Sequence, residues 1–229
     1  MVLIIAPMVM ADQVQVYREP GYFSGTGGEF TLKIVNNNAA PDLNSNWALY
    51  SLETSDIGTN DPSFQSFCVE LDEYVSAPGG PYNVFINSQA IAGGKNTDNG
   101  DPISKGTAWL YYQFARGILT GYDYNGSDRD DDAGKLQATI WWLEDEQSDP
   151  GEGNDFRNLV FKQFSSNWEL AKTDNEETYH VAVLNLNNLD GSLAQDMLVA
   201  VSAPEPATML LLGSGLLGLA GYARRRFKK

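Results

Sequence analysis

The pattern of apolar and polar positions changes along the chain from strand spacing to helical spacing and back. Residues 13–17 and 28–35 alternate apolar and polar side chains, as half-buried strands do, with a glycine-rich turn between them. Residues 64–75 predict another strand. Residues 82–91 predict its antiparallel partner, across the Pro/Gly-rich turn at 78–81.

The middle of the chain has helical spacing. Residues 104–119 place apolar side chains on one helical face, and Ser104 is a suitable N-cap. Residues 132–147 predict a second helix with Asp131 and Asp132 at its start, and residues 154–172 predict a third. Strand spacing returns at 179–186 and 197–202. This order predicts an α+β fold, in which an antiparallel β-sandwich or barrel carries a helical insertion.

Both ends of the chain are apolar. Residues 1–11 form an apolar run that ends at Ala11 before a polar segment, which is typical of a secretory signal peptide. The run has no basic residue before it, so we expect the signal peptide to be truncated. Residues 207–223 are uncharged and close to the roughly 20 residues that span a bilayer. They predict a C-terminal transmembrane sorting helix, whose trailing basic residues stay on the cytoplasmic side.

The C-terminal segment also contains a recognisable motif. Three elements follow one another: Pro204-Glu205-Pro206, the apolar segment, and Arg224, Arg225 and Arg226. Residues 203–229 thereby resemble the PEP-CTERM sorting signal. The resemblance implies export across the inner membrane of a Gram-negative bacterium, recognition there by an exosortase, and cleavage near the Pro-Glu-Pro triplet. It further implies release to the cell surface or biofilm matrix. An ordinary membrane anchor is the alternative, and both interpretations export residues 12–202.

The charge of the chain argues against nucleic acid as a partner. The formal net charge is −15, and the basic residues of the tail make the remainder more acidic still. Phosphate binding requires a basic footprint, which this sequence lacks. A strongly acidic exported domain instead suits solubility or cation binding.

Cys68 is the only cysteine, so the chain has no internal disulfide. It lies in the segment SFCVE (66–70), and Gln137 lies downstream in LQATIW (136–141). This pair of segments resembles the signature of bacterial surface thioester domains. Residues 107–111 and 194–199 resemble thioester-domain proteins of the PEP-CTERM group. Leu136 departs from the commonest form, in which a Thr is frequent.

The resemblance implies an internal thioester between the Cys68 sulfur and the Gln137 side-chain carbonyl, formed with loss of ammonia. Positioning of the two groups can contribute roughly 7–11 kcal/mol to such a reaction. An amine nucleophile then displaces the sulfur and stays on Gln137 as an amide. Trp141, one helical turn after Gln137, is expected to shield the bond, and Tyr111 and Tyr112 to close the pocket. Ordinary core packing is the alternative for each of these aromatic residues.

Three functions are compatible with this reading. The preferred one is a surface or matrix protein that covalently captures an amine on a target, as in adhesion, and that is not an enzyme because the acyl group is consumed. The second is a structural exopolysaccharide-matrix protein in which the crosslink only stabilises the fold, by roughly 4 kcal/mol in the chain-entropy model. The third is a cysteine hydrolase that uses His180, the only histidine.

Acidic residues crowd the segment before the second helix. Asp128, Asp130 and Asp132 are candidate calcium ligands, although the EF-hand register fails because Ala133 occupies the glycine position. A solvated loop is the preferred interpretation, and a solvated helix end is expected at residues 144–146. We therefore expect no cofactor, with calcium as the alternative.

Overall fold

The computed structural model describes residues 12–36, 63–91, 100–176 and 178–201. Over these ranges the chain combines a large antiparallel sheet with four helices, which confirms the predicted mixture of helix and sheet. No helix within these ranges is long and apolar enough to cross a membrane. The predicted signal peptide and the predicted sorting helix lie outside the described residues.

The described residues form ten strands and four helices. The strands are β1 (Asp12–Tyr17), β2 (Phe23–Ser24), β3 (Gly27–Gly28), β4 (Phe30–Asn36), β5 (Ser63–Ser66), β6 (Gly79–Asn87), β7 (Gln89–Ala90), β8 (Asp101–Pro102), β9 (Val181–Asn187) and β10 (Leu193–Ala200). The helices, all between β8 and β9, are α1 (Lys105–Ala115), α2 (Arg129–Leu143), α3 (Asp155–Gln163) and α4 (Trp168–Ala171).

Six strands form one sheet in the order β10-β9-β6-β1-β4-β5, and all of its pairs are antiparallel. The predicted pairing of residues 64–75 with residues 82–91 is wrong. β5 pairs with β4, whereas β6 lies between β1 and β9. The strand that contains Phe64 also ends early, at Ser66, because the chain then leaves β4 to meet β10.

The helices begin and end where local chemistry dictates. Ser104 caps α1 as predicted, because its hydroxyl accepts a hydrogen bond from the Thr107 backbone N–H at 3.2 Å. α2 starts at Arg129, one turn earlier than predicted, and ends at Leu143. The predicted third helix is instead two helices, because Ser165 and Ser166 have positive φ angles of 55° and 63°.

Two apolar clusters form the core. One lies between the sheet and the helices and includes Phe67, Val69, Phe114 and Ile140. The other lies on the opposite face of the sheet and includes Val14, Leu32 and Leu184, together with Cys68 and Trp141. β9 and β10 contribute to both clusters by alternation, with Val183 on the helical side and Leu184 on the other. Cys68 therefore belongs to the second cluster and not to the cluster between the sheet and the helices.

Candidate functional site

Cys68 lies where the two edge strands of the sheet meet. It forms an antiparallel bridge with Met197 of β10. The Val69 N–H donates to the Asp196 carbonyl at 2.9 Å, and the Leu198 N–H donates to the Phe67 carbonyl at 3.1 Å. The segment after β5 is thus hydrogen-bonded to β10, and the sheet is joined to itself at the cysteine.

Side chains alternate in direction along this segment, so the Cys68 side chain points to the side opposite those of Phe67 and Val69. Phe67 and Val69 pack into the helical core, whereas Cys68 points to the other face of the sheet. Cys68 is only 4% exposed to solvent. Extended backbone therefore holds the thiol in a fixed, buried position.

Gln137 of α2 reaches the same point from the helical layer. Its side chain is fully buried, and its amide forms two hydrogen bonds with the backbone of Cys68. The Cys68 N–H donates to Gln137 Oε1 at 3.1 Å, and Gln137 Nε2 donates to the Cys68 carbonyl at 2.8 Å. The two residues that the sequence paired are thus in direct contact, across 69 positions of the chain.

The hairpin of β2 and β3 holds Gln137 against the cysteine. Gly27 packs directly on the glutamine side chain, since a Cβ added there would lie 2.8 Å from Gln137 Cγ. Arg18 fixes the hairpin, because its Nη2 donates to the Gly27 carbonyl at 2.6 Å and its guanidinium lies 3.8 Å from the ring centroid of Phe23. The sequence pattern indicated no role for Arg18 or Gly27.

The electrostatic environment keeps the thiol neutral. Burial raises the pKa of the Cys68 thiol well above its ordinary value, and the positive charge of Arg18 opposes this rise only in part. Activated catalytic cysteines have the reverse property, a lowered pKa in an electropositive and partly exposed position. Any reaction of Cys68 therefore depends on the placement of its partner rather than on a preformed thiolate.

A cavity of about 420 Å³ opens beside Cys68. Trp141, the residue predicted to shield the sulfur, lines this cavity together with Cys68. Tyr111 and Tyr112 are not among its lining residues. Tyr111 is buried in the helical core and donates to the Gln65 carbonyl at 2.9 Å, while the ring of Tyr112 packs 6.4 Å from that of His180. The structure thus brings one of the three predicted shielding residues to the cavity.

Glu70, in the segment SFCVE, belongs to this site although the sequence pattern indicated no role for it. It lines the cavity, is 1% exposed, and neither of its carboxylate oxygens has a hydrogen-bond partner. Burial, followed by repulsion from Glu146 and Asp101, raises the pKa of Glu70 to about 9. The alternation in SFCVE could have revealed it, because residues 68 and 70 share one face of an extended segment.

The other acidic candidates have structural contacts. The Asp132 carboxylate accepts a hydrogen bond from the Asp123 N–H at 2.8 Å, and Asp123 accepts one from the Asp128 N–H. Within the four described ranges, no group of three or more His, Cys, Asp and Glu side chains is placed to hold a metal ion. Glu144 is not solvated as expected. It is buried and accepts hydrogen bonds from the backbone and hydroxyl of Ser104.

His180, the candidate partner of a hydrolytic cysteine, does not line the cavity beside Cys68. Its ring is half-buried against Tyr112, and its carbonyl accepts a hydrogen bond from the Val201 N–H. This position gives Cys68 no imidazole from the cavity side.

Comparison with known proteins identifies the C-terminal segment. Residues 202–226 match the family model of the PEP-CTERM protein-sorting motif. The chain is therefore an exported protein that passes through the membrane and is sorted by an exosortase. The comparison with curated proteins and the comparison with solved structures each found no match.

Proposed function

We propose that the exported domain of this protein, residues 12–202, carries an internal thioester between Cys68 Sγ and Gln137 Cδ. The domain then acts at the cell surface or in the extracellular matrix, where it covalently captures an amine on a target. It works once per molecule and is not a turnover enzyme. The observation that carries the proposal is the pair of hydrogen bonds between the Gln137 amide and the Cys68 backbone.

These hydrogen bonds suit the formation of the thioester. The Cys68 sulfur adds to Gln137 Cδ, and the negative charge that develops on Oε1 is stabilised by the Cys68 N–H, which already donates to that atom. The intermediate then expels the Nε2 nitrogen, which leaves as ammonia with the proton of the thiol. The Cys68 carbonyl, which accepts from Nε2, holds the leaving nitrogen in a defined orientation.

The same contacts suit the capture step. A neutral amine attacks Gln137 Cδ, the Cδ–Sγ bond breaks, and the amine nitrogen gives a proton to the departing sulfur. The products are an amide on Gln137 and a free Cys68 thiol. The cavity beside Cys68 offers a path for the amine, and burial of the rest of the pair limits competing attack by water.

A structural role for the crosslink is the second candidate. The pair is 4% exposed at Cys68 and fully buried at Gln137, and it joins helix α2 to the point where the sheet edges meet. A bond at this position would stabilise the domain even if no nucleophile ever reached it.

Intact mass of the full chain tests the thioester directly. We expect a deficit of one ammonia in the unaltered protein and no deficit in Cys68→Ala or Gln137→Ala. Gln195→Ala is the matched control, because Gln195 is also a buried amide that donates to the backbone of this segment, at the Glu70 carbonyl. The control should keep the deficit. Full mass in the unaltered protein, with a thiol that titrates on unfolding, would refute the proposal.

Methylamine then separates capture from a structural crosslink. A reactive bond gains methylamine on Gln137 and releases one thiol, which peptide mapping locates. A bond that keeps its deficit in concentrated methylamine under native conditions serves only stability.

A further inference from the structure

The cavity beside Cys68 contains a buried carboxyl group that has no hydrogen-bond partner within the described residues. Glu70 is 1% exposed and lines the cavity, and both of its carboxylate oxygens lack a hydrogen-bond donor. A buried polar group without a partner destabilises the folded state, and most buried polar groups in native proteins are paired. The open side of Glu70 faces a space large enough for a ligand group.

Glu70 is placed beside the reacting atoms. Phe67 and Val69 point into the helical core, so Cys68 and Glu70 share the opposite side of the extended segment and both line the cavity. Glu70 is two positions after Cys68 in this extended segment, so its carboxyl group lies on the same side as the sulfur. A group bound to Glu70 lies next to the Cys68–Gln137 pair.

The charges around the cavity favour a cation. Its walls include the carboxylates of Glu70, Asp72 and Glu73 and one positive side chain, Arg18. The guanidinium of Arg18 is engaged at Nη2 by the Gly27 carbonyl and stacks on the ring of Phe23. Its Nε and the Nε1 of Trp141, also on the cavity wall, have no hydrogen-bond partner in the part of the chain that the structure describes. Glu70 and Glu73 hold their protons at neutral pH while the cavity is empty, and a bound cation would favour their ionised forms.

We propose that this cavity binds a primary ammonium group of the lysine side-chain type, and that Glu70 accepts its proton before the amine attacks Gln137 Cδ. This inference rests on the proposed thioester for its chemical step, while the binding step stands independently of it. An ammonium ion has no lone pair with which to attack, so it must lose a proton first, and a proton acceptor next to the thioester accelerates this step. The ammonium proton passes to Glu70, and the second proton of the amine goes to the sulfur as the Cδ–Sγ bond breaks.

The protonation of Glu70 supports this role. Burial first, and then repulsion from Glu146, Asp101, Glu144 and Glu73, raise the pKa of Glu70 to about 9. These acids face it from the end of α2, from β8 and from its own loop. A raised pKa makes the carboxylate a stronger base, and a bound cation favours its ionised form. Binding of an ammonium group should therefore lower the pKa of Glu70.

The chemical step is tested by comparing two nucleophiles on the full chain. Methylamine is a cation at neutral pH, whereas hydroxylamine is uncharged. Glu70→Gln should slow release of the Cys68 thiol by methylamine about tenfold or more, and release by hydroxylamine far less. The matched control is Glu169→Gln, which makes the same change at an exposed acid of α4 and should alter neither rate. Equal slowing of both nucleophiles, or no slowing of either, would overturn the role of Glu70.

The binding step is tested in Cys68→Ala, which cannot form the thioester. The carboxyl carbon of Glu70 is followed by NMR during titration with Nα-acetyl-lysine amide, with Nα-acetyl-norleucine amide as the uncharged control. We expect the lysine derivative alone to shift the Glu70 resonance and to lower its pKa. If neither compound shifts it, or both do so equally, the ammonium site does not exist.

The two sets of results separate the hypotheses. Full mass in the unaltered protein together with lysine-specific binding rejects the thioester and keeps the ammonium site. An ammonia deficit without binding and without selectivity for methylamine keeps the thioester and rejects the role of Glu70. If Glu70→Gln does not fold, the titration of Cys68→Ala still decides the binding step.

Discussion

Two buried glutamates of this domain have opposite surroundings. Glu29 is fully buried and accepts hydrogen bonds at 2.8 Å from both Arg129 Nε and Arg129 Nη2, and a further one from the Tyr122 hydroxyl. Glu70 is equally buried, yet no donor reaches either of its oxygens. The same side chain is thus fully paired at one site and left unpaired at the other.

The contrast shows which of the two sites is built for stability. Burial lowers the pKa of Arg129, but the hydrogen bonds and the opposite charge of Glu29 together outweigh burial and raise it. Burial also raises the pKa of Glu29, and Arg129 opposes this rise. Arg129 also stacks 3.5 Å from the ring centroid of Tyr22. The fold can therefore satisfy a buried carboxylate completely. Leaving Glu70 unsatisfied in a cavity lowers stability, as is common at sites that bind or react.

The largest expected effect comes from the same substitution made at both glutamates. Glu29→Gln leaves Arg129 buried without its counter-charge and should lower the free energy of unfolding by about 3–5 kcal/mol. Glu70→Gln removes an unpaired acid and should lower it little or raise it. Urea unfolding of both variants at pH 7 measures the difference. A loss at Glu70 as large as that at Glu29 would show that the described contrast is wrong.

The second prediction concerns pH. The pKa of Glu70 is about 9 in the folded protein and near 4.3 in the unfolded chain, so the unfolded chain loses its proton first. The stability associated with Glu70 is therefore complete below about pH 4.3 and is lost as pH rises towards about 9. Raised pKa values of about 8 for Glu73, 7 for Glu144 and 6 for Asp101 act in the same direction.

We accordingly expect the free energy of unfolding of the unaltered protein to decrease by on the order of a few kcal/mol as the pH rises from 5 to 9. The urea midpoint, which measures this decrease, should become lower over the same range. Glu70→Gln should reduce this fall, whereas Glu169→Gln should reproduce it. An undiminished fall in Glu70→Gln would mean that its carboxylate is paired or solvated.

The sequence predicted the contact between Cys68 and Gln137 better than the sheet that carries it. Cys68 and Gln137 were matched through short segments with a recognisable pattern, and the structure places them in contact. The partner of β6 was predicted wrongly, because a turn such as residues 78–81 suggests a local hairpin. The actual partners, β1 and β9, lie far away in sequence and are selected by burial on two faces rather than by a local signal.

The residues that complete the site could be predicted only in part. Strand alternation places Glu70 on the same side as Cys68, so its position follows from the segment SFCVE. The absence of a hydrogen-bond donor for the Glu70 carboxylate depends on residues that are distant in sequence. It therefore has no local sequence signal. Arg18 and Gly27 act through a hairpin of two-residue strands, which is too short for a pattern to show.

The third prediction concerns how Gln137 is held. Gly27→Ala places a methyl group 2.8 Å from Gln137 Cγ and 3.2 Å from its Cβ, so the glutamine must move. We expect a loss of about 1–3 kcal/mol, typical of overpacking. Under the proposed function, the ammonia deficit should also become incomplete. Gly153→Ala is the control, because nothing lies within 4 Å of an added Cβ there. A normal deficit in Gly27→Ala would mean that the hairpin does not position Gln137.

The smallest effect is expected at Glu73, which is intermediate between the two glutamates. It lines the same cavity as Glu70, but its Oε2 accepts a hydrogen bond from the Asp196 N–H at 2.7 Å. Glu73→Gln keeps an acceptor for this bond and removes repulsion from Asp196, so we expect a change below about 1 kcal/mol at pH 7. Urea unfolding measures this change, and Glu73→Ala, which removes the acceptor, should cost more. If the alanine variant costs no more than the glutamine variant, the hydrogen bond contributes nothing. Glu73 would then resemble Glu70 rather than Glu29, and its carboxylate too would be available to a cation in the cavity.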